Sequence, residues 1–196
     1  LPLRSTTLRL RDYAGRPVSG RVFVVGGWGQ ASTSLPPDGG PASFVFPEGP
    51  GTLRIDQYWN EPAWYLPNAW SIVQPMDFSS DQIRTLTLPR PSKVTATVVD
   101  TDTGDSAAGV FVNASGDADP AVLSEGLAPA TLGSETRGDT KADGTISFRS
   151  FPDTTFDARA VERRPGAFRE GLPTVVDATG DTGVTLELPK SATMSL

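Results

Sequence analysis

The sequence predicts an all-β chain of two tandem antiparallel β-sandwich domains, and three observations predict it. Short runs alternate strictly between apolar and polar residues, as in Thr7-Leu8-Arg9-Leu10-Arg11 and Lys93-Val94-Thr95-Ala96-Thr97-Val98. Such alternation marks strands with one buried face. Gly, Pro and Asp bound these runs, and no helical spacing of useful length competes with them. The order of signals also recurs with a period of roughly 90 to 100 residues.

Taken in order, the first unit opens with Thr7–Arg11, turns at Asp12-Tyr13-Ala14-Gly15-Arg16-Pro17-Val18-Ser19-Gly20 and continues into Arg21-Val22-Phe23-Val24-Val25. Asp38-Gly39 then precedes Ser43-Phe44-Val45-Phe46-Pro47, and Thr52-Leu53-Arg54-Ile55-Asp56 follows. The second unit repeats the succession. A turn over Asp100–Asp105 leads to Val110-Phe111-Val112, Asp143-Gly144 precedes Ile146-Ser147-Phe148, and Thr155–Ala160 alternates. Asp and Gly suit these turns because Asp accepts backbone N–H bonds and Gly tolerates positive φ. The inward set is then Leu8, Leu10, Val22, Val24, Phe44, Phe46, Leu53, Ile55, Leu86 and Leu88 in the first unit. In the second it is Val94, Ala96, Val98, Val110, Val112, Ile146, Phe148, Phe156, Ala158, Leu186 and Leu188.

Leu88-Pro89 and Leu188-Pro189 each close a strand-like run, and the same dipeptide stands at Leu1-Pro2. The domains are therefore placed at 1–90, with an aromatic-rich segment at 58–70, and at 91–190, with a long polar insertion at 115–137. Residues 191–196 read as the start of a following unit or a tail, so the chain is expected to be a window on a tandem array. Pro89-Arg90-Pro91 should make a short, semi-rigid joint, because proline fixes its own φ and restricts the residue before it.

Composition removes several function classes. The chain has no His and no Cys, so a Ser-His-Asp triad, a Cys-His pair, a disulfide and a His- or Cys-ligated zinc site are all absent. Net charge is −6, and the excess is acidic, which disfavours nucleic acid as a partner. No apolar run is long enough to span a membrane as a helix. Gly26-Gly27-Trp28-Gly29 lacks the Lys and Ser/Thr of a phosphate loop and reads as a turn leaving a strand. Asp100, Asp102 and Asp105, with Asp117 and Asp119 in the next loop, offer carboxylates to calcium; turn chemistry is the preferred account. Chance pairs of surface acids do not make a glycosidase without a dry cleft. No enzymatic activity, cofactor or metal is expected.

The succession Ala107-Ala108-Gly109-Val110-Phe111-Val112 and then Thr140-Lys141-Ala142-Asp143-Gly144-Thr145-Ile146-Ser147-Phe148 resembles the carboxypeptidase regulatory-like domains of transthyretin-like (prealbumin-like), immunoglobulin-like topology. Gly15-Arg16-Pro17-Val18-Ser19-Gly20 and Pro47-Glu48-Gly49-Pro50-Gly51-Thr52-Leu53 extend the resemblance to the first unit. It implies a non-catalytic spacer in a larger secreted or cell-surface bacterial protein, with neighbouring domains of the same polypeptide as partners. The related collagen-adhesin B-type domains often link a first-strand lysine to a late asparagine. Here Val98-Val99 precedes the Asp100 turn and the last strand holds no Asn, so no such crosslink is expected.

The main candidate for binding is aromatic. Three of the four tryptophans, Trp59, Trp64 and Trp70, fall with Tyr58 and Tyr65 in one segment, and Trp28 is the fourth. Exposed indoles stack on the C–H faces of sugars, and Asn60, Glu61 and Asn68 stand ready to bond hydroxyls. This makes the first unit an alternative candidate for binding polysaccharide or a protein partner. The competing account is that these rings cover an open end of the sandwich or pack at a joint.

Overall fold

The computed structural model describes residues 2–36, 38–57, 67, 69–121, 123, 128–164, 167–177 and 180–190. It is all-β, with no helix among the described residues. The chain falls into two compact units: Leu1–Glu61, Ala69–Arg90 and Ala118–Gly133 form unit 1, while Pro62–Asn68, Pro91–Asp117 and Ser134–Leu196 form unit 2.

Unit 1 contains β1 (Leu3–Arg11), β2 (Gly20–Gly26), β3 (Gly29–Leu35), β4 (Ala42–Pro47), β5 (Pro50–Gln57), β6 (Ala69–Asp77) and β7 (Gln82–Thr87). One sheet has the order β4-β1-β7 and the other runs β3-β2-β5-β6. β1 pairs antiparallel with β4 and parallel with β7. The alternation in β1 sends Thr6, Leu8 and Leu10 inward, and all three are buried. Leu8, Leu53, Ile55, Ile72, Leu86, Leu88, Leu132, Phe46 and Phe78 are its largest fully buried side chains. Each stabilises the unit by about 1.5–3 kcal/mol on area grounds.

Unit 2 contains β8 (Ser92–Asp100), β9 (Phe111–Ala121), β10 (Ala130–Asp139), β11 (Thr145–Ser150), β12 (Thr154–Arg164), β13 (Ala167–Glu170), β14 (Thr174–Asp177) and β15 (Thr182–Leu188). Its sheets run β11-β8-β15 and β13-β12-β9-β10, with β14 also pairing β12. Apart from the additional β14, the strand order repeats that of unit 1, including the parallel pairing of first and last strands, here β8 and β15. The core gathers Val94, Ala96, Val98, Val110, Val112, Ala114, Phe148, Ala158, Ala160, Val176, Leu186 and Leu188. Ile146, expected in this core, packs against it while only partly buried; the side chain of Phe156 lies outside the description.

Small polar devices recur at matching places. Asp81 Oδ1 accepts the Ser5 N–H at 2.7 Å, and Asp181 Oδ1 accepts the Lys93 N–H at 2.9 Å. On the outer faces, Thr7 Oγ1 and Ser43 Oγ lie 3.1 Å apart, as do Thr95 Oγ1 and Ser147 Oγ. The turns after β1 and β8 both start on Asp. Asp12 accepts the Ala14 and Arg16 N–H groups at 2.8 Å each, and Asp100 accepts that of Asp102 at 2.9 Å. Gly15 and Gly104 close these turns at φ 78° and 79°, a region that L side chains rarely adopt.

Residues 115–137, read from the sequence as a polar insertion, form most of the β9–β10 hairpin. Its outer part, Ala118–Gly133, belongs to unit 1. Ala118, Leu123, Ala130 and Leu132 are buried. The Thr87 N–H donates to Leu123 O at 3.2 Å, and Gln74 Nε2 donates to Ala128 O. An insertion rich in Ala, Gly and Ser carries little apolar alternation, so its strand character comes from pairing and not from its own pattern.

Candidate functional site

Trp70 is not a surface ring. It is the second residue of β6, on the inward side with Ile72, Gln74 and Met76, and is 3% exposed. Gly20 faces it across the sheet, where a Cβ would stand 3.1 Å from Ile55 Cγ2 and 3.6 Å from Trp70 Cη2. Glycine there leaves room for the indole. Trp70 is therefore withdrawn as a ligand contact: its alternation with Ile72 and Met76 makes it core.

Trp28 is partly buried in the two-residue turn between β2 and β3, where Gly26 pairs with Gly29. A Cβ at Gly26 would collide with Trp28 Nε1, so the glycine lets the indole fold back over the strand end. The ring stacks on Phe46 at 5.5 Å with 6° between planes, and Phe46 meets Phe78 edge-on at 4.3 Å. This aromatic stack closes one end of the unit 1 core. Trp28 Nε1 and Trp70 Nε1 are buried without a hydrogen-bond partner among the described residues. Tyr58, Trp59, Trp64 and Tyr65, the rest of the aromatic candidate, lie outside the described residues.

The acidic turn of unit 2 is neutralised by a side chain. Arg169 on β13 is 9% exposed. Its Nη2 donates to Asp100 Oδ2 at 2.7 Å, Nη1 to Asp100 Oδ1 at 3.0 Å, and Nε to Glu162 Oε2 at 2.5 Å. Asp102 Oδ2 lies 3.5 Å from Nη1. The hydrogen bonds to Asp100 and then Glu162 raise the guanidinium pKa further above its ordinary value, against the opposing effect of burial. A forked guanidinium matches carboxylates bidentately, so Arg169 takes the place at Asp100 that the sequence had offered to calcium. Among the described residues no group of three acidic side chains converges to hold a metal ion. In unit 1 the equivalent Asp12 is held by a local cation instead, with Arg16 Nε 2.6 Å from Oδ2.

The outer face of the β9-β12-β13 sheet in unit 2 carries a groove of about 270 Å³ that sequence reasoning did not anticipate. β9 contributes Phe111, Asn113 and Ser115, and β12 contributes Asp157, Arg159, Val161 and Arg163. Glu170 of β13 completes the lining. Alternation along the strands puts these residues on one side of the sheet. Val161 is 7% exposed and serves as the floor. Arg159 donates to Asp157 Oδ2 and Glu170 Oε1, each at 3.4 Å, while the Arg163 guanidinium stands 5.6 Å from the centre of the Phe111 ring. Beside the groove Phe168, paired in register with Arg163, is 64% exposed. Asp157 and Glu170 stand half in solvent, with side-chain exposures of 52% and 40%. That is not the dry setting in which a carboxyl works as a general acid. The alternating polar residues of β12 were legible in the sequence, but their neighbours across the sheet were not.

No protein-family model matches the chain, and no curated protein sequence matches it at a significant level. Among solved structures the chain is similar to GBS52, the minor pilin of the Gram-positive pathogen Streptococcus agalactiae. The identity is 15%, the match covers 98% of each chain and the TM-score is 0.51. That likeness is one of fold. The streptococcal ancillary pilin gives 15% identity and a TM-score of 0.40 over 95% of this chain, which spans 62% of that protein. The shaft pilin SpaA of Lactobacillus rhamnosus GG gives 11% identity and 0.38, over 99% of this chain and 100% of its own.

Proposed function

We propose that this chain is a non-catalytic, tension-bearing spacer within a larger cell-surface protein, built from two transthyretin-like sandwiches in a tandem array. The observation that carries the reading is the placement of each unit's first and last strands. β1 and β7 are parallel neighbours over six register pairs, Thr6↔Gln82 to Arg11↔Thr87. β8 and β15 are parallel neighbours over seven, Thr182↔Val94 to Leu188↔Asp100. Force entering a unit through these strands runs along their axes, so the slanted bonds of the parallel ladder are loaded together and not one after another. Two further features support it. Unit 2 is filled by one apolar cluster that includes Val94, Ala96, Val98 and Leu186, and the sequence holds neither His nor Cys, which removes the Ser-His-Asp and Cys-His arrangements. The fold likeness to the minor pilin of a Gram-positive pathogen is compatible with this reading.

Antibodies raised against the chain test the setting. They should label intact cells of the source and detect a polypeptide larger than 20.7 kDa. Labelling only after lysis, or a single band at 20.7 kDa, contradicts the reading.

A further inference from the structure

We propose that the groove on the outer face of β9, β12 and β13 binds a neutral oligosaccharide, an activity that goes beyond the spacer role. Two guanidiniums, Arg159 and Arg163, balance two carboxylates, Asp157 and Glu170. A lining without net charge favours neither a polyanion nor a cation, and the ligand it complements is neutral and polar.

The polar groups are also prepared for hydroxyls. Arg159 is tied to Asp157 and Glu170 by single bonds to one oxygen of each carboxylate. A guanidinium has five N–H donors and a carboxylate about four acceptor sites, so all three keep bonding capacity while already held in place. Asn113 on the neighbouring strand is exposed and adds both a donor and an acceptor. Vicinal hydroxyls of a sugar match such paired, planar groups. Arranging them before the ligand arrives lowers the ordering cost of binding.

An apolar platform completes the site. Phe168 presents its ring on the side of the sheet that carries Arg163 and Glu170. An exposed phenyl face, otherwise costly in water, is covered when the C–H face of a pyranose stacks on it. The groove lies just below the range of about 300–1,000 Å³ typical of small-molecule pockets, and its open shape suits a short stretch of a longer chain.

The test is amide NMR of the whole chain titrated separately with cello-, xylo-, manno- and N-acetylated chito-oligosaccharides. Polygalacturonate and a Gly/Ser/Thr decapeptide serve as the anionic and peptide comparisons. At least one neutral sugar should produce saturable shifts confined to residues 111–115, 157–163 and 168–170. Phe168→Ala should weaken that binding about three- to tenfold, Arg159→Gln should weaken it as well, and Ile83→Ala on unit 1 should leave it unchanged. The proposal is overturned if no neutral sugar shifts these amides, if only polygalacturonate or the peptide does, or if Phe168→Ala and Arg159→Gln bind like the parent chain.

Discussion

Replacing Arg169 with leucine is the most informative single change. The guanidinium is 9% exposed and Glu162 beside it has 6% of its side chain exposed. Leucine fills the apolar part of the space but removes the short bond to the buried Glu162 carboxylate, and Asp100 loses both of its bonds to the fork. Removing one partner of a buried pair costs about 3–5 kcal/mol. Against a total stability of about 5–15 kcal/mol for a domain, that is a large fraction, and the loss corresponds to a fall of more than about 12 °C in the melting temperature of unit 2. Urea unfolding followed by NMR peak intensities of Val94–Val98 and Ala158–Ala160 reads unit 2 directly. Glu162→Leu combined with Arg169→Leu should recover much of the loss, since an apolar pair of similar volume replaces a buried ion pair with little penalty. A loss below about 1 kcal/mol for Arg169→Leu, or a double variant no more stable than Arg169→Leu alone, refutes the argument that Arg169 is the resident counter-ion of this cluster.

Three further outcomes are expected. Trp28→Ala should cost unit 1 about 2 kcal/mol, because it uncovers Phe46 and leaves a gap at the end of the core; chemical denaturation measures it. Asp143 accepts from Thr145 Oγ1 at 2.7 Å and from the Thr145 N–H at 3.0 Å, and these bonds lower its pKa from 3.8. The folded state therefore prefers the ionised form, so this stabilisation is present above 3.8 and is lost as the pH falls through the lower folded value. The stability advantage of the parent over Asp143→Asn should shrink in that acid window, read by melting curves, and an advantage unchanged there would contradict it. A fragment ending at Arg90 should melt below unit 1 of the whole chain and associate through β6, because it lacks the buried Ala118, Leu123, Ala130 and Leu132 and leaves a strand edge open. Calorimetry and light scattering follow both effects.

The strands with clean alternation were legible from the sequence. Leu8 and Leu10, Val22 and Val24, Phe44 and Phe46, Leu53 and Ile55, and Val94, Ala96 and Val98 all point inward as the period of two requires. β6 is obscured because Gln74 occupies an inward position and Pro75 interrupts the pattern, so a run that opens on Ala69-Trp70 reads as part of an aromatic loop. β3 was silent for another reason. Gly29–Leu35 is an edge strand of small polar residues whose strand partner among the described residues is β2, and it needs no apolar stripe until Leu35. The β9–β10 hairpin was taken for an insertion because Ala and Gly bury without advertising it. For the site, composition removed His and Cys chemistry at once. The groove and the Arg169 cluster join residues on different strands, from Phe111 to Glu170 and from Asp100 to Arg169, and spacing along the chain does not reveal such meetings. Aromatic clustering pointed to Trp70, which packs inside, while the exposed ring beside the groove is Phe168, isolated in sequence.

The central claim, that each unit is arranged to carry tension through its first and last strands, is tested most directly by single-molecule pulling in two geometries. With handles at Ser92 and Leu188, force shears the parallel β8–β15 ladder. With handles at Ser92 and Ser150, which face each other at the end of the antiparallel β8–β11 pair, the same unit is peeled open one bond at a time. Forced unfolding is governed by the unfolding rate, and a barrier that requires several bonds to break together yields at higher force. The account predicts a clearly higher unfolding force in the first geometry at equal loading rate; equal forces, or a higher force for the second geometry, would contradict it.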